Sequence, residues 1–408
     1  MDVKLHRVAE IYTKTIAITG SKSETNRLLL LKALYPGITV QNISVSDDSD
    51  VMRAALAGND TVIDVHHAGT AMRFLTAYFA VQEGREVMLT GSPRMRERPI
   101  GILVTALRSL GADIEYTGTE GYPPLRIKGK ELTGDKVSMK ADISSQYITA
   151  LLLIAGRLQK GLDIILEGNI TSLPYIRMTL ALLNDAGIKA EMKDNIISVS
   201  PADRHLPSVT VTVESDWSSA SYFYSIIALS PISTTVTLSS FKENSLQGDS
   251  ALAVIYEQLG VVTAFNGTAI TLRKQECQPQ VINLDLNNTP DIAQTIAVTC
   301  LGLGIGCSLE GLHTLKIKET DRLTALKTEL EKFGADVTLT GDSLHLSPSR
   351  LIKSGIAVDT YNDHRMAMAF APLTVKTSLI IKDAAVVSKS YPTFWEDLKS
   401  IGFPVEVQ

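Results

Sequence analysis

Four short charged segments are the places in this sequence where chemistry can be done. GSKSETNR sets Lys22, Ser23 and Arg27 in a glycine-led turn and the first helical turn beyond it. LTGSPRMRERPIG carries Arg94, Arg96 and Arg98 beside Pro93 and Pro99, with Glu97 offsetting part of the charge. LKIKETDRL gathers Lys316, Lys318, Glu319, Asp321 and Arg322 at the opening of a helix, and YNDHRMAMAF puts Asp363, His364 and Arg365 directly ahead of an apolar run. Arginine binds carboxylate and phosphate bidentately, so a stiff loop holding three of them suits an anion clamp. A lysine beside a glutamate can deliver and remove protons while a nearby arginine grips an anionic substrate. A basic residue at a helix N-terminus opposes the dipole and is unfavourable there unless an anion is present. Each segment also has a plainer reading: a serine cap with surface cations, a solvated loop, surface ion pairs. The first segment lacks the second glycine of G-x-x-x-x-G-K-[ST], which disfavours a nucleotide phosphate loop.

The elements that must hold these residues repeat. Polar segments run straight into apolar helical stretches six times: SETNRLLLLKAL from Ser23, GTAMRFLTAYFA from Gly69, DISSQYITALLLIA from Asp142, DWSSASYFYSIIAL from Asp216, TPDIAQTIAVTCLG from Thr289 and NDHRMAMAFAPLTV from Asn362. The last five recur about every 73 residues, and the first interval is about 28 residues short. A second series keeps nearly the same period. LRSLGADIEY, LLNDAGIKAEM, YEQLGVVTAF and LEKFGADVTL, with Gly402 near the end, place a glycine where a helix C-terminus needs a left-handed residue, followed by strand-like alternation. Each unit therefore reads as helix, strand, helix, strands, and six units over two domains predict an α/β architecture with apolar helices packed inside small sheets. Several helix N-termini brought together present unpaired N–H groups and partial positive charge to an anion, reinforced by the cations just named.

Bulk properties agree with two folded domains. The chain has 408 residues, 45% hydrophobic and 20% charged, with a formal net charge of −5, a balance that suits neither disorder nor a nucleic-acid protein. Its longest apolar stretches, such as that from Ile292 to Cys307, fall short of the roughly 18 residues needed to span a bilayer. MDVKLHRVAE has no apolar region after its charges, so a cytoplasmic location is expected. Cys277, Cys300 and Cys307 show no paired spacing and are expected to be reduced, buried, small hydrophobes. His66 and His67 lack a third ligand, and no metal is expected.

Taken together, GSKSETNR, AGTAMR, SPRMRERPIG, SSQYITALL, KETDRL and NDHRMAM resemble the signature set of the EPSP synthase family over nearly the whole chain. The resemblance implies two domains, each of three βαβαββ units with the first unit shortened. Residues 1–19 and 214–408 would form the domain with phosphoenolpyruvate-side and catalytic groups, and 20–213 the domain with shikimate 3-phosphate-side groups. The activity implied is transfer of the enolpyruvyl group of phosphoenolpyruvate to the 5-hydroxyl of shikimate 3-phosphate, releasing phosphate, with no metal or organic cofactor. Family positions for shikimate 3-phosphate fall on Lys22, Ser23, Arg27, Ser144, Ser145, Gln146, Ser172, Tyr175, Asp291 and Lys318. Those for phosphoenolpyruvate fall on Lys22, Gly69, Arg94, Gln146, Arg322, Arg365 and Lys389. Asp291 matches the general base, with Glu319, Lys22 and Lys318 as the other catalytic candidates. A monomer without nucleic-acid or membrane partners is expected.

The chain departs from the family pattern in places. His67 stands where asparagine is usual, Phe74 where many members have proline, and Thr314 and Lys316 where asparagine and arginine are more usual; about one hairpin of chain is missing between Asp50 and Gly69. The alternatives are the sister transferase acting on UDP-N-acetylglucosamine, whose corresponding loop carries a cysteine that GSPRMRERPIG lacks, and a non-catalytic anion-binding relative. Anion-binding groups on two domains joined by only two crossovers imply an open form that closes on substrate.

Overall fold

The six foreseen helices are Lys22–Leu34, Gly69–Ala80, Ser145–Ala155, Trp217–Leu229, Ala293–Leu303 and His364–Phe370 in the computed structural model, which describes residues 1–140, 144–168 and 170–408. Asp142, where the third polar segment begins, lies outside the described residues. A helix that is apolar all round has to be enclosed, and the later five are, whereas Lys22–Leu34 leaves Lys32 exposed. Every residue of Gly69–Ala80 except Thr70 is buried, and every residue of Ser145–Ala155 except Gln146. In Trp217–Leu229 the exception is Ser218. The side chains at the helix starts are therefore the ones left to meet a ligand.

The chain divides into two compact units, Met1–Gly20 with Glu214–Gln408, and Ser21–Val213, each with its own apolar core. In Ser21–Val213 one sheet runs Val62–Asp64, Glu86–Thr90, Leu125–Lys128, Asp113–Tyr116 in spatial order, its first pair parallel and the others antiparallel. A second sheet, Lys136–Lys140, Leu162–Glu167, Ile196–Val199, Ala190–Lys193, repeats that pattern. A parallel first pair needs a crossover, which the buried helix supplies, and the antiparallel pair needs only a turn. The third sheet has two strands: Ile38–Gln41 pairs in parallel with Val209–Thr212. After the helix Asp47–Ala57 the chain enters Val62–Asp64, already part of the next sheet, so no length remains for a hairpin. This is the shortened unit.

The other unit has three four-stranded sheets. They are Thr15–Ile16, Thr235–Ser239, Ala269–Lys274, Val261–Asn266; Ile282–Asp285, Cys307–Glu310, Leu344–Leu346, Val337–Leu339; and Ile356–Val358, Leu379–Ile381, Val3–Leu5, Val405–Val407. In the last, the N-terminal strand takes the third place between later strands, antiparallel to both. The glycines that follow the second helices, Gly111, Gly187, Gly260, Gly334 and Gly402, have φ of 105°, 85°, 78°, 97° and 102°, the left-handed region a side chain would strain. Cys300 and Cys307 are buried, whereas Cys277 is only half-buried, in the segment after the strand Ala269–Lys274, a departure from the expectation. Among the described residues, no helix is long and apolar enough to cross a membrane.

Candidate active site

In the unit built from both chain ends, charged side chains converge on Asp291. It sits in the Pro290–Ile292 turn leading into Ala293–Leu303. Arg322, the first residue of Arg322–Lys332, is only 2% exposed and divides its guanidinium among three carboxylates. Nε donates to Asp363 Oδ2 at 2.6 Å, Nη1 to Asp291 Oδ1 at 2.9 Å and Nη2 to Glu319 Oε2 at 2.7 Å. Arg365 donates from Nη1 to the Asp291 backbone oxygen at 3.0 Å and places Nη2 3.3 Å from Asp291 Oδ2. Lys318 Nζ lies 3.7 Å from Asp291 Oδ1. Asp363 caps His364–Phe370 by accepting from the Arg365 N–H at 2.9 Å. Burial pushes the Asp291 carboxyl up, but Arg365, Lys318 and Arg322 together overcome it and hold the group well below the usual carboxylate range. For Arg322, burial alone would lower the pKa; Asp363, Glu319 and Asp291 reverse this and raise it further above its ordinary value.

Lys389 joins this region through the backbone, donating from Nζ to the Asn362 oxygen at 2.7 Å. Tyr361 and Asn362 are both left-handed, at φ 54° and 55°, a conformation costing about 1–3 kcal/mol for each non-glycine residue unless its surroundings impose it. Glu329 imposes it. Its buried carboxylate accepts from the Tyr361 hydroxyl at 2.6 Å and the Asp359 N–H at 3.1 Å, and pairs with Lys332 at 2.7 Å. Glu329→Gln cannot accept from all three, and is expected to lose about 1–3 kcal/mol of stability. Urea unfolding measures this; an unchanged midpoint would show that the turn does not depend on Glu329.

In Ser21–Val213 the predicted residues fall into smaller groups. Ser21 caps the first helix, and Lys22 Nζ lies 3.2 Å from Asp48 Oδ2. Arg27 is not a surface cation. It is buried, donating to Thr179 Oγ1 at 2.9 Å, to the Ser23 oxygen at 2.7 Å and, more weakly, to Thr149 and the Tyr175 oxygen, with its guanidinium over the Phe74 and Tyr175 rings. Burial lowers its pKa to about 10, only partly opposed by Tyr175 and Glu24. Ser144 caps the helix that continues through Ser145 and Gln146, and Gln146 Nε2 donates to Thr70 Oγ1 at 3.3 Å, beside Gly69. Ser172, left-handed at φ 54°, accepts through its backbone oxygen from the Tyr175 N–H. Arg94 lies in a short helix, Pro93–Arg96, and pairs with Glu97 at 2.9 Å.

Sequence reasoning missed several partners. Asp48 is one of three acids in a helix's first turn, a common placement that singles out none of them. Asp249 is buried and accepts from the hydroxyls of Ser218 and Thr289, while Ser218 Oγ itself accepts from Arg365 Nη2 at 3.3 Å. Burial first and Asp291 second raise the Asp249 pKa. Asp249, Ser218 and Thr289 are far apart in the chain and share no motif. Among the described residues, no group of three or more His, Cys, Asp or Glu is arranged to hold a metal ion.

Comparison with known proteins defines the class first. The fold is that of enolpyruvyl transferases: an EPSP synthase from Acinetobacter baumannii superposes over 100% of this chain and 99% of its own with a TM-score of 0.80 at 21% identity. The enolpyruvyl transferase NikO from Streptomyces tendae does so over 99% and 98% at 0.75 and 12% identity. The family model for EPSP synthase (3-phosphoshikimate 1-carboxyvinyltransferase) matches residues 51–398. A 3-phosphoshikimate 1-carboxyvinyltransferase of Bacteroides fragilis is 46% identical over 96% of both chains, and one from Haemophilus influenzae is 38% identical over 95% of this chain and 96% of its own. The chain belongs to the EPSP synthase family.

Proposed function

We propose that this chain moves the carboxyvinyl group of phosphoenolpyruvate onto the 5-hydroxyl of shikimate 3-phosphate, a step of aromatic amino-acid biosynthesis. The observation that carries the site assignment is the Asp291 centre: a carboxylate kept ionised by three cations, as a group that must accept a hydroxyl proton beside anionic substrates requires. The 5-hydroxyl oxygen attacks C2 of phosphoenolpyruvate as Asp291 takes its proton, and Lys22, Glu319 or both deliver a proton to C3. The tetrahedral ketal then loses a proton from C3 to the same group, the double bond re-forms, and the bond from C2 to the phosphate oxygen breaks, the departing phosphate taking up the proton held by Asp291. Lys318 and Arg322 stabilise the charge that develops.

Under this proposal Lys22, Ser23, Arg27, Ser144, Ser145, Gln146, Ser172, Tyr175, Asp291 and Lys318 recognise shikimate 3-phosphate. Lys22, Gly69, Arg94, Gln146, Arg322, Arg365 and Lys389 recognise phosphoenolpyruvate. Arg27 would act with the donor capacity left over from its internal bonds, and its ring contacts fix its direction. The three free cysteines suit a reducing cytoplasm, and the protein would act there as a monomer.

Phosphate release tests the reading. Purified protein should release phosphate from phosphoenolpyruvate with shikimate 3-phosphate as acceptor and not with UDP-N-acetylglucosamine. Release only with the sugar nucleotide would assign the sister reaction, and release with neither would mean a binding protein.

A further inference from the structure

The helix Arg322–Lys332 holds one short turn, residues 359–363, at three points along its length. At the helix start Arg322 donates from Nε to Asp363 Oδ2 at 2.6 Å. Two turns on, the fully buried Glu329 carboxylate accepts the Tyr361 hydroxyl on one oxygen at 2.6 Å and the Asp359 N–H on the other at 3.1 Å. Lys332, at the helix end, donates to Asp359 Oδ2 at 2.6 Å and to the Ala357 oxygen at 3.3 Å. Positions 322, 329 and 332 fall within about 80° of one another around a helix, so a single face grips the turn. The Asp363 N–H closes it on the Thr360 oxygen at 2.8 Å.

The clamp fixes a backbone shape that residues with side chains avoid. Tyr361 and Asn362 are consecutive left-handed residues, at φ 54° and 55°. In that shape the Asn362 carbonyl oxygen accepts from Lys389 Nζ at 2.7 Å. Relaxing Asn362 to negative φ rotates the peptide groups on either side of it and carries the oxygen away from the ammonium. Lysine is a point charge on a flexible four-carbon stem, so whatever binds its ammonium decides where the charge sits. Burial first and Glu329 second raise the Tyr361 pKa, so its hydroxyl remains a donor at neutral pH.

We infer that Glu329 and the Tyr361 hydroxyl are positioning residues for phosphoenolpyruvate: they hold the turn left-handed, and the turn's Asn362 carbonyl sets the place of the Lys389 ammonium. Both act through Lys389. This deepens the functional reading above and rests on it for the ligand that Lys389 meets.

The test is a double-mutant cycle on Tyr361→Phe and Lys389→Met, read as KM for each substrate. Tyr361→Phe leaves Glu329 with Lys332 and the Asp359 N–H, so the protein folds. It should raise KM for phosphoenolpyruvate about 3- to 10-fold, the equivalent of one hydrogen bond, with kcat and KM for shikimate 3-phosphate within about two-fold of wild type. Glu329→Gln should raise KM for phosphoenolpyruvate in the same direction. Lys389→Met should raise it about 10- to 100-fold, the range for losing a charge-assisted bond. Adding Tyr361→Phe to Lys389→Met should then change KM by less than about two-fold, because no ammonium remains to be placed. A hydroxyl that serves only folding would lower the melting temperature and leave KM for phosphoenolpyruvate unchanged, and that result would overturn the proposal. So would effects of the two substitutions that multiply in full. If wild type releases no phosphate, titration calorimetry with phosphoenolpyruvate carries the same cycle. Coupling between Tyr361 and Lys389 there keeps the positioning role while the assigned reaction fails, and an affinity independent of both residues overturns the positioning role as well.

Discussion

An Asp291→Asn enzyme is expected to fold and to lose about 10²- to 10⁴-fold in kcat, the range for removal of a positioned general base. The amide has the size of the carboxylate but cannot take the hydroxyl proton. A carboxylate held as low as Asp291 is a weak base by itself, which favours the lower half of that range. Incoming phosphate and carboxylate groups change the balance: anions arriving beside Arg322, Arg365 and Lys318 draw on the same cations and raise the Asp291 pKa when it is needed. Removing the negative charge also leaves those cations more available to an anion, so KM for phosphoenolpyruvate should hold or fall in the variant. Steady-state phosphate release at saturating acceptor separates the outcomes. A rise in KM with kcat retained would make Asp291 a binding residue and move the base elsewhere. Because its pKa is depressed in the free enzyme, the wild-type kcat/KM should show no acidic limb from Asp291 between about pH 6 and pH 8; such a limb would have to come from another group.

Much of this architecture can be read from one line of sequence, because the repeat is written in hydrophobic pattern. Apolar runs such as FYSIIAL and AVTCLGL are helices enclosed on every side, and the glycine after each second helix is the left-handed residue the turn demands. The short first interval is legible too, as a two-stranded sheet. What cannot be read is closure by distant strands. Val209–Thr212 completes a sheet begun at Ile38, and Val3–Leu5 fits between Leu379–Ile381 and Val405–Val407. No local pattern records such a pairing.

The site divides in the same way. KETDR and NDHR mark themselves by an unusual density of opposite charges at helix starts, which is why Arg322 and Arg365 stand out. Arg27 reads as a surface cation because Thr149 and Thr179, its hydroxyl partners, are 122 and 152 positions away. Glu329 and Asp249 are single acids in unremarked surroundings, and only the folded chain brings Tyr361 to one and Thr289 to the other. Arg98 was visible as one of three arginines in a loop. Its difference from Arg94 and Arg96, burial against a glycine, is a property of three-dimensional packing.

Arg322→Met is expected to destabilise the protein by about 3–5 kcal/mol at neutral pH, the cost of removing one partner from a buried charge network. Methionine fills much of the volume, so the loss is mainly electrostatic. Asp291 keeps Arg365 and Lys318, but Asp363, fully buried, loses its 2.6 Å bond to Nε and retains the Arg365 N–H, and Glu319 loses its 2.7 Å partner. The effect should depend on pH with a definite sign. In wild type the Asp291 pKa is depressed, so its contribution is present above the unfolded value of about 3.9 and is lost as pH falls toward the folded one. In the variant Arg365 and Lys318 remain beside Asp291 but Arg322 does not, so the part of this contribution owed to Arg322 is missing. The stability gap between the two proteins should therefore be full at about pH 7 and narrower at about pH 3, below the unfolded carboxylate value. Urea unfolding at the two pH values measures it. An equal gap at both would mean that the loss comes from packing. Arg322→Lys decides the remaining point: a single ammonium can satisfy one carboxylate at a time, so it should recover part of the stability, whereas full recovery would show that charge alone, without the three-way fork, holds Asp291, Glu319 and Asp363 together.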